Sequence, residues 1–224
     1  MWGRVRAKAR CRLKARPTLL LLAAVAWAQV APLRNPSDPL WQKAAPDVYR
    51  VRVETTKGVF VMEAKRSLAP RGADRFYHLV ESGFYNDSRF YRTIADRFVQ
   101  FGIAGDPAIA QIWRKTEFPD DKESASNARG WFGFAMTKAD TRITQIYICT
   151  NDSMKRQDGD GFAIFGQVVE GMDVVDALYN GYGETSGGGM RAGHQQKLFE
   201  EGNAYLDREF PKLDRLIRAS IVSH

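Results

Sequence analysis

Residues 48–55 alternate strictly, with Tyr49, Val51 and Val53 apolar and Arg50, Arg52 and Glu54 charged. Period two is strand geometry, because successive side chains leave a pleated strand on opposite faces. A half-buried strand is therefore fixed here, and the chain must supply its partners. The first follows at once: Lys57-Gly58 reads as a turn, and Val59 to Ala64 as the returning arm of a hairpin. Further strand-like runs lie at Trp131–Met136, Thr144–Thr150, Phe162–Val168 and Leu213–Val222. Helical signals are fewer. Pro70 opens a helix at its tolerated first-turn position, Phe76, Leu79 and Val80 form its inward stripe, and Gly83 ends it. Asp173 to Tyr179 reads as the second main helix, Ile109 to Arg114 as a short one, and Asn203 as the cap of another that stops at Pro211. Strands that outnumber helices and are spaced by turns predict an antiparallel barrel or sandwich.

Two of these runs carry polar groups in places where a core strand has none. In Phe90-Tyr91-Arg92-Thr93-Ile94, alternation puts Arg92 on the face of Phe90 and Ile94. An unpaired arginine among apolar neighbours is costly to bury. At the rim of a groove it can pack its stem and present its guanidinium. After the break at Ala95-Asp96, Phe98 and Gln100 share a face. In the run from Thr144 to Thr150, Gln145 and Tyr147 share one face and Ile146 and Ile148 the other. Two strands thus each offer an amide and an aromatic ring on one side.

Those residues resemble the cyclophilins, the cyclophilin-type peptidyl-prolyl cis-trans isomerases. The family's hallmark strand Phe-His-Arg-x-Ile-x-x-Phe-Met-x-Gln-Gly-Gly is matched in register by Phe90, Arg92, Ile94, Phe98, Gln100 and Gly102. Its Ser-Gln-Phe-Phe-Ile is matched by Thr144 to Ile148, and its Phe-Gly-x-Val-x-x-Gly-Met-x-Val-Val by Phe165 to Val175. The resemblance runs from about Val48 to Val222. It implies a mainly β fold, an eight-stranded antiparallel barrel capped by two helices, with a cyclophilin-like domain over residues 48–224. It implies rotation about X-Pro peptide bonds with no cofactor and no metal. It assigns Arg92 as the catalytic donor, Gln100 and Gln145 to the substrate backbone, and Phe98 and Tyr147 to the proline cup.

The chain also departs from the pattern. Arg97 stands where the family has a pocket phenylalanine, and Thr137-Lys138 where it has the Ala-Asn pair that meets the peptide backbone. The loop reads Met154-Lys155-Arg156-Gln157 without the family's tryptophan, and Phe162 stands about where its histidine would be. Cyclosporin, which relies on that tryptophan in the family, is therefore expected to inhibit poorly. Two functions stay open at this point: an isomerase assisting the folding of exported chains, and a proline-segment-binding chaperone with little turnover. Arg97 divides them, since it sets a charge where the proline ring expects an apolar wall.

A net charge of +7 suggests nucleic acid or an anionic surface at first sight. Its position argues against both. Residues 1–16 hold seven basic side chains and no acid, and a short apolar run from Leu19 ends in Ala26-Trp27-Ala28. That is the layout of a secretory signal peptide, 1–28, with cleavage before Gln29. Taking those seven from 33 basic residues leaves 26, equal to the 26 acidic ones. The expected mature chain is thus neutral, exported to a periplasmic or extracellular space, of bacterial type, monomeric, and partnered by proline-containing segments of client proteins rather than by nucleic acid or membrane. Cys11 would leave with the leader, so Cys149 has no disulfide partner. Residues 29–47, with Pro32, Pro36, Pro39 and Pro46, read as an extended linker, and Gly181 to Gly193 as a flexible connection. Asp158-Gly159-Asp160-Gly161 lacks the later ligands of a calcium loop and reads as a turn.

Overall fold

The computed structural model describes residues 32–188 and 195–223. The signal-peptide expectation, with Cys11 and the Gln29 cleavage point, lies outside the described residues. The expected hairpin forms as β1 (Val48–Thr55) and β2 (Gly58–Lys65), paired from Val48↔Lys65 to Thr55↔Gly58. The turn is Thr56-Lys57, one residue earlier than the sequence suggests. Gly58 opens β2 at φ 137°, and a Cβ there would meet Val174 at 3.1 Å.

Helix α1 (Pro70–Glu81) follows and buries Phe76, Leu79 and Val80 as its periodicity requires. Phe76 is the hub of the aromatic core, with ring centroids 5.5 Å from Tyr85, 5.8 Å from Phe132 and 5.5 Å from Phe165. The cap residue Ala69 has no side chain to offer. Asp121, from the loop some fifty residues on, instead accepts from the Arg71 and Gly72 amides at 3.0 and 2.8 Å. A carboxylate at a helix N-terminus satisfies orphan amides and complements the dipole. The same loop is pinned by Arg142, 1% exposed, whose Nε lies 3.3 Å from Asp120 and whose Nη2 donates to the Gly161 carbonyl.

The remaining elements in chain order are β3 (Ser88–Arg89), β4 (Arg92–Ile94), β5 (Phe98–Phe101), α2 (Pro107–Trp113), β6 (Trp131–Phe134), β7 (Ile146–Cys149), β8 (Ile164–Glu170), α3 (Met172–Asp176), α4 (Gln196–Glu201), α5 (Asn203–Glu209) and β9 (Arg215–Ser223). The sheet runs β3-β9-β1-β2-β8-β6-β7-β5-β4, antiparallel at every pairing. Its two outermost strands, β3 and β4, are separated in the chain only by Phe90 and Tyr91. A two-residue link spans at most about 10 Å, so the sheet must curl until its ends nearly meet. Nine strands form where eight were expected, the extra one being a two-residue β3. Five α-helices are described where four were expected, the added one being Gln196–Glu201, and the second main helix is only five residues long, α3. Asn203 does not cap α5; Gly202 stands at that position and Asn203 Nδ2 donates to the Asp87 carbonyl at 2.7 Å.

The proline-rich stretch is no linker over 32–47. Short 3-10 turns form at Pro32–Arg34 and Pro39–Gln42, and Leu33, Trp41 and Ala45 are buried. Trp41 stands edge-on to Trp113 at 4.6 Å, and Trp113 Nε1 donates to the Leu33 carbonyl at 2.9 Å. Asp74 accepts from the Ala45 amide at 2.8 Å, and His78 Nε2 donates to the Lys43 carbonyl at 3.0 Å. Aromatic burial together with satisfied backbone groups outweighs the entropy that composition alone suggested the segment would keep. Among the described residues no helix is long and apolar enough to cross a membrane.

Candidate active site

The curled sheet carries a second, smaller apolar cluster of Phe98, Tyr147, Cys149, Met154 and Ile164, set apart from the main core. The cavity that opens on it is about 290 Å³. Strand register builds its floor. Arg92 faces Gln100 across β4 and β5, Gln100 faces Tyr147 across β5 and β7, and Tyr147 faces Gly133 across β7 and β6. Gly133 is required there, because a Cβ would lie 2.9 Å from the Tyr147 hydroxyl and 2.8 Å from the Ala163 carbonyl.

The sequence expects Arg92, Phe90 and Ile94 on one face, and the structure corrects this. The strand breaks at Phe90-Tyr91, so Phe90 turns into the main core against Phe101 at 5.4 Å. Arg92 and Ile94 lie instead with the Phe98 cluster, and the Arg92 guanidinium sits 4.8 Å from the Phe98 ring centroid. This position stacks a cation on an aromatic face at the cavity wall.

Arg92, Phe98, Gln100, Gln145, Tyr147, Arg97, Thr137 and Phe162 all line the cavity. The Arg97 guanidinium also lies over the Phe98 ring, 5.5 Å from its centroid. Phe162, which stands about where the family has a histidine, meets Tyr147 edge-on at 5.9 Å. Lys138 is not among the lining residues. The Thr137 and Lys138 amides both donate to Thr141 Oγ1 at 3.1 Å, so that turn satisfies its own donors. A peptide backbone would have to displace Thr141 to pair with them.

A directional chain of hydrogen bonds joins the polar wall. Arg92 Nη1 donates to Gln100 Oε1 at 3.1 Å, Gln100 Nε2 to Gln145 Oε1 at 2.8 Å, and Gln145 Nε2 to Gln195 Oε1 at 3.1 Å. Tyr91 adds its hydroxyl to Gln145 Oε1. Each amide accepts on one side and donates on the other, an order that fixes both flips and polarises the row. An amide nitrogen carries two hydrogens, so Gln145 has a second donor to direct at a peptide carbonyl, while the Gln100 amide also meets the Tyr91 hydroxyl. Burial pushes the phenols of Tyr91 and Tyr147 up, so both remain neutral donors. The Tyr147 hydroxyl is spent on Asn127 Oδ1 at 2.5 Å and leaves only its ring to the cup. Burial raises the Cys149 thiol to about 12, which makes it a packed and unreactive group.

The sequence reading missed Tyr91, Asn127, Arg114, Phe199, Glu184 and Gln195. Arg114 stacks on Phe199 at 4.8 Å beside the cavity. Glu184 accepts from Arg92 Nη2 at 2.8 and 3.1 Å from the 3-10 turn Gly183–Gly188, within the stretch expected to be a flexible connection. The rest of that stretch, 189–193, lies outside the described residues. Gly159 and Gly161 donate their amides to Glu123, which accounts for the Asp-Gly-Asp-Gly turn.

Residues 50–196 match the family model described as cyclophilin type peptidyl-prolyl cis-trans isomerase. Peptidyl-prolyl cis-trans isomerase B of Escherichia coli is 30% identical over 181 residues, covering 77% of this chain and 99% of that protein. A peptidyl-prolyl cis-trans isomerase of Streptomyces antibioticus is 31% identical over 139 residues, covering 57% and 81%. Among solved structures, a cyclophilin-type isomerase of Cryptosporidium parvum superposes with a TM-score of 0.57 at 18% identity, over 79% of this chain and 99% of that one.

Proposed function

The chain belongs to the cyclophilin-type peptidyl-prolyl cis-trans isomerases, and from that premise we propose that Arg92 is its catalytic donor, acting on proline segments of exported proteins. The observation that carries the proposal is the fixed row of Arg92, Gln100 and Gln145 on one wall of the cavity. Rotation about a peptide bond crosses a barrier of about 18–20 kcal/mol and makes or breaks no covalent bond. At the twisted geometry the prolyl nitrogen regains its lone pair. A donor aimed at that nitrogen gains strength only there, which is the condition for lowering the barrier. A charge-assisted hydrogen bond contributes about 1.5–3 kcal/mol, or roughly ten- to a hundredfold in rate. Gln100 and Gln145 hold the peptide while it turns, and the Phe98 and Tyr147 rings take the proline.

Arg92→Ala is expected to lower kcat/KM for a proline peptide by about ten- to a hundredfold at unchanged thermal midpoint, in a protease-coupled isomerisation assay. Full activity in that variant would remove Arg92 from the mechanism. Turnover lost with peptide binding kept would fit the donor role, whereas a wild type that binds without turnover would leave a binding module. Export rests on the basic, acid-free start followed by the apolar run and Ala26-Trp27-Ala28. N-terminal sequencing of the secreted protein is expected to read from Gln29, and a chain retained with residues 19–28 in the membrane fraction would refute it.

A further inference from the structure

Glu184 reaches the reacting arginine from outside the sheet. Both of its carboxylate oxygens accept from Arg92 Nη2, at 2.8 and 3.1 Å. Gln100 takes Nη1 on another edge, and Phe98 lies under one face of the fork. An arginine at a cavity rim otherwise samples many rotamers, and a small misplacement of a reacting group is costly in rate. We infer that Glu184 is a positioning residue of the isomerisation: it holds the Arg92 guanidinium in the plane from which Nη1 meets the prolyl nitrogen. This inference rests on the donor role of Arg92.

The geometry favours orientation over obstruction. A guanidinium has five N–H groups. Glu184 occupies Nη2, and Gln100 accepts one hydrogen of Nη1. Among the described residues no hydrogen bond claims the second Nη1 hydrogen, on a side chain that lines the cavity. Gln195, at the far side of the same connection, does for Gln145 what Glu184 does for Arg92, and it is buried. Glu184 and Gln195 thus hold the polar row at its two ends. The Arg92–Glu184 side chains are 16% and 46% exposed, and ion pairs of that kind add little to folding. Loss of the carboxylate should therefore show in turnover and not in stability.

The test compares full-length wild type, Glu184→Ala, Glu184→Gln, Arg92→Ala and the double variant Arg92→Ala/Glu184→Ala on one proline peptide. Glu184→Ala is expected to lower kcat about tenfold, with KM within about twofold and an unchanged melting midpoint. Glu184→Gln keeps an acceptor oxygen and should recover part of the loss. The double variant should be no slower than Arg92→Ala alone. A Glu184→Ala enzyme as fast as wild type overturns the inference, and one that is faster would make the carboxylate a block. An equal loss with or without Arg92 would place its action elsewhere. Arg92→Ala inactive beside a normal Glu184→Ala sinks this inference alone; a fully active Arg92→Ala sinks the donor role with it.

Discussion

Residues 32–47 and 183–188 are both built from helix breakers, and both are folded onto the barrel by opposite means. The first places Trp41 against Trp113 and buries Leu33 and Ala45, with its amides and carbonyls answered by Asp74, His78 and Trp113. Among its described side chains the second sets a half-exposed carboxylate on Arg92. The contrast teaches what each kind of contact is for. Apolar burial is non-directional and scales with area, so it holds a segment without specifying an angle. An exposed ion pair adds little stability in water but is directional, and together with Gln100 on Nη1 and the Phe98 ring beneath it restrains a planar group. The proline-rich strap stabilises the molecule; the glycine-rich one aims it.

The sharpest way to break that contrast is Trp41→Ala. Truncation of a buried tryptophan is expected to cost about 3–5 kcal/mol, read as a large fall in the thermal midpoint, with unchanged turnover per folded molecule. A loss of kcat at temperatures where the variant is folded would mean that this strap also shapes the site. Next in size is Arg97→Phe, which restores an apolar wall to the cup beside Phe98. Turnover of neutral proline peptides should rise by about fivefold, and that of peptides with Asp or Glu beside the proline should rise less or fall, since a ring contributes about 1 kcal/mol of packing and removes a charge. Equal changes for both peptide classes would show that Arg97 does not meet the substrate. The smallest effect is ionic. Between about 0.01 and 1 M salt the Debye length falls from about 30 to 3 Å, and wild-type kcat is expected to fall about twofold while that of Glu184→Ala stays level. A salt response that survives in Glu184→Ala would have to come from the other charges of the cavity.

Much of the fold was legible in the residues, whereas both straps read alike as flexible connections, and what escaped did so for a physical reason. The β1–β2 hairpin and the stripe of α1 are periodic, and periodicity is a local property that burial on one face imposes. Arg92, Gln100 and Gln145 were found because polar groups on a strand's inner face are anomalous before any contact is known. Trp41 gave no such signal: one aromatic among prolines has no period, and its partner Trp113 lies 4.6 Å away in space but 72 positions on in sequence. Glu184 and Gln195 are single polar residues in a glycine-rich stretch, which is ordinary for a surface loop; only the fold shows them on Arg92 and Gln145. Phe90 was placed on the wrong side because alternation was carried across a break that two-residue β3 creates.

The order of strands has a consequence for the timing of folding. β1 lies between β2 and β9, with Val53 opposite Ala219, so the first strand is not fully paired until the last one has been made. β3 has only β9 for a neighbour, and Ser88 waits for Leu216. Contacts that close such long loops come late and slow the search for the native state. The Phe90-Tyr91 link then makes β4, and with it Arg92, sensitive to whether β3 has docked. A chain emerging one residue at a time can form its first hairpin early, but the rim that carries Arg92 reaches its final place only after residues 215–223 arrive.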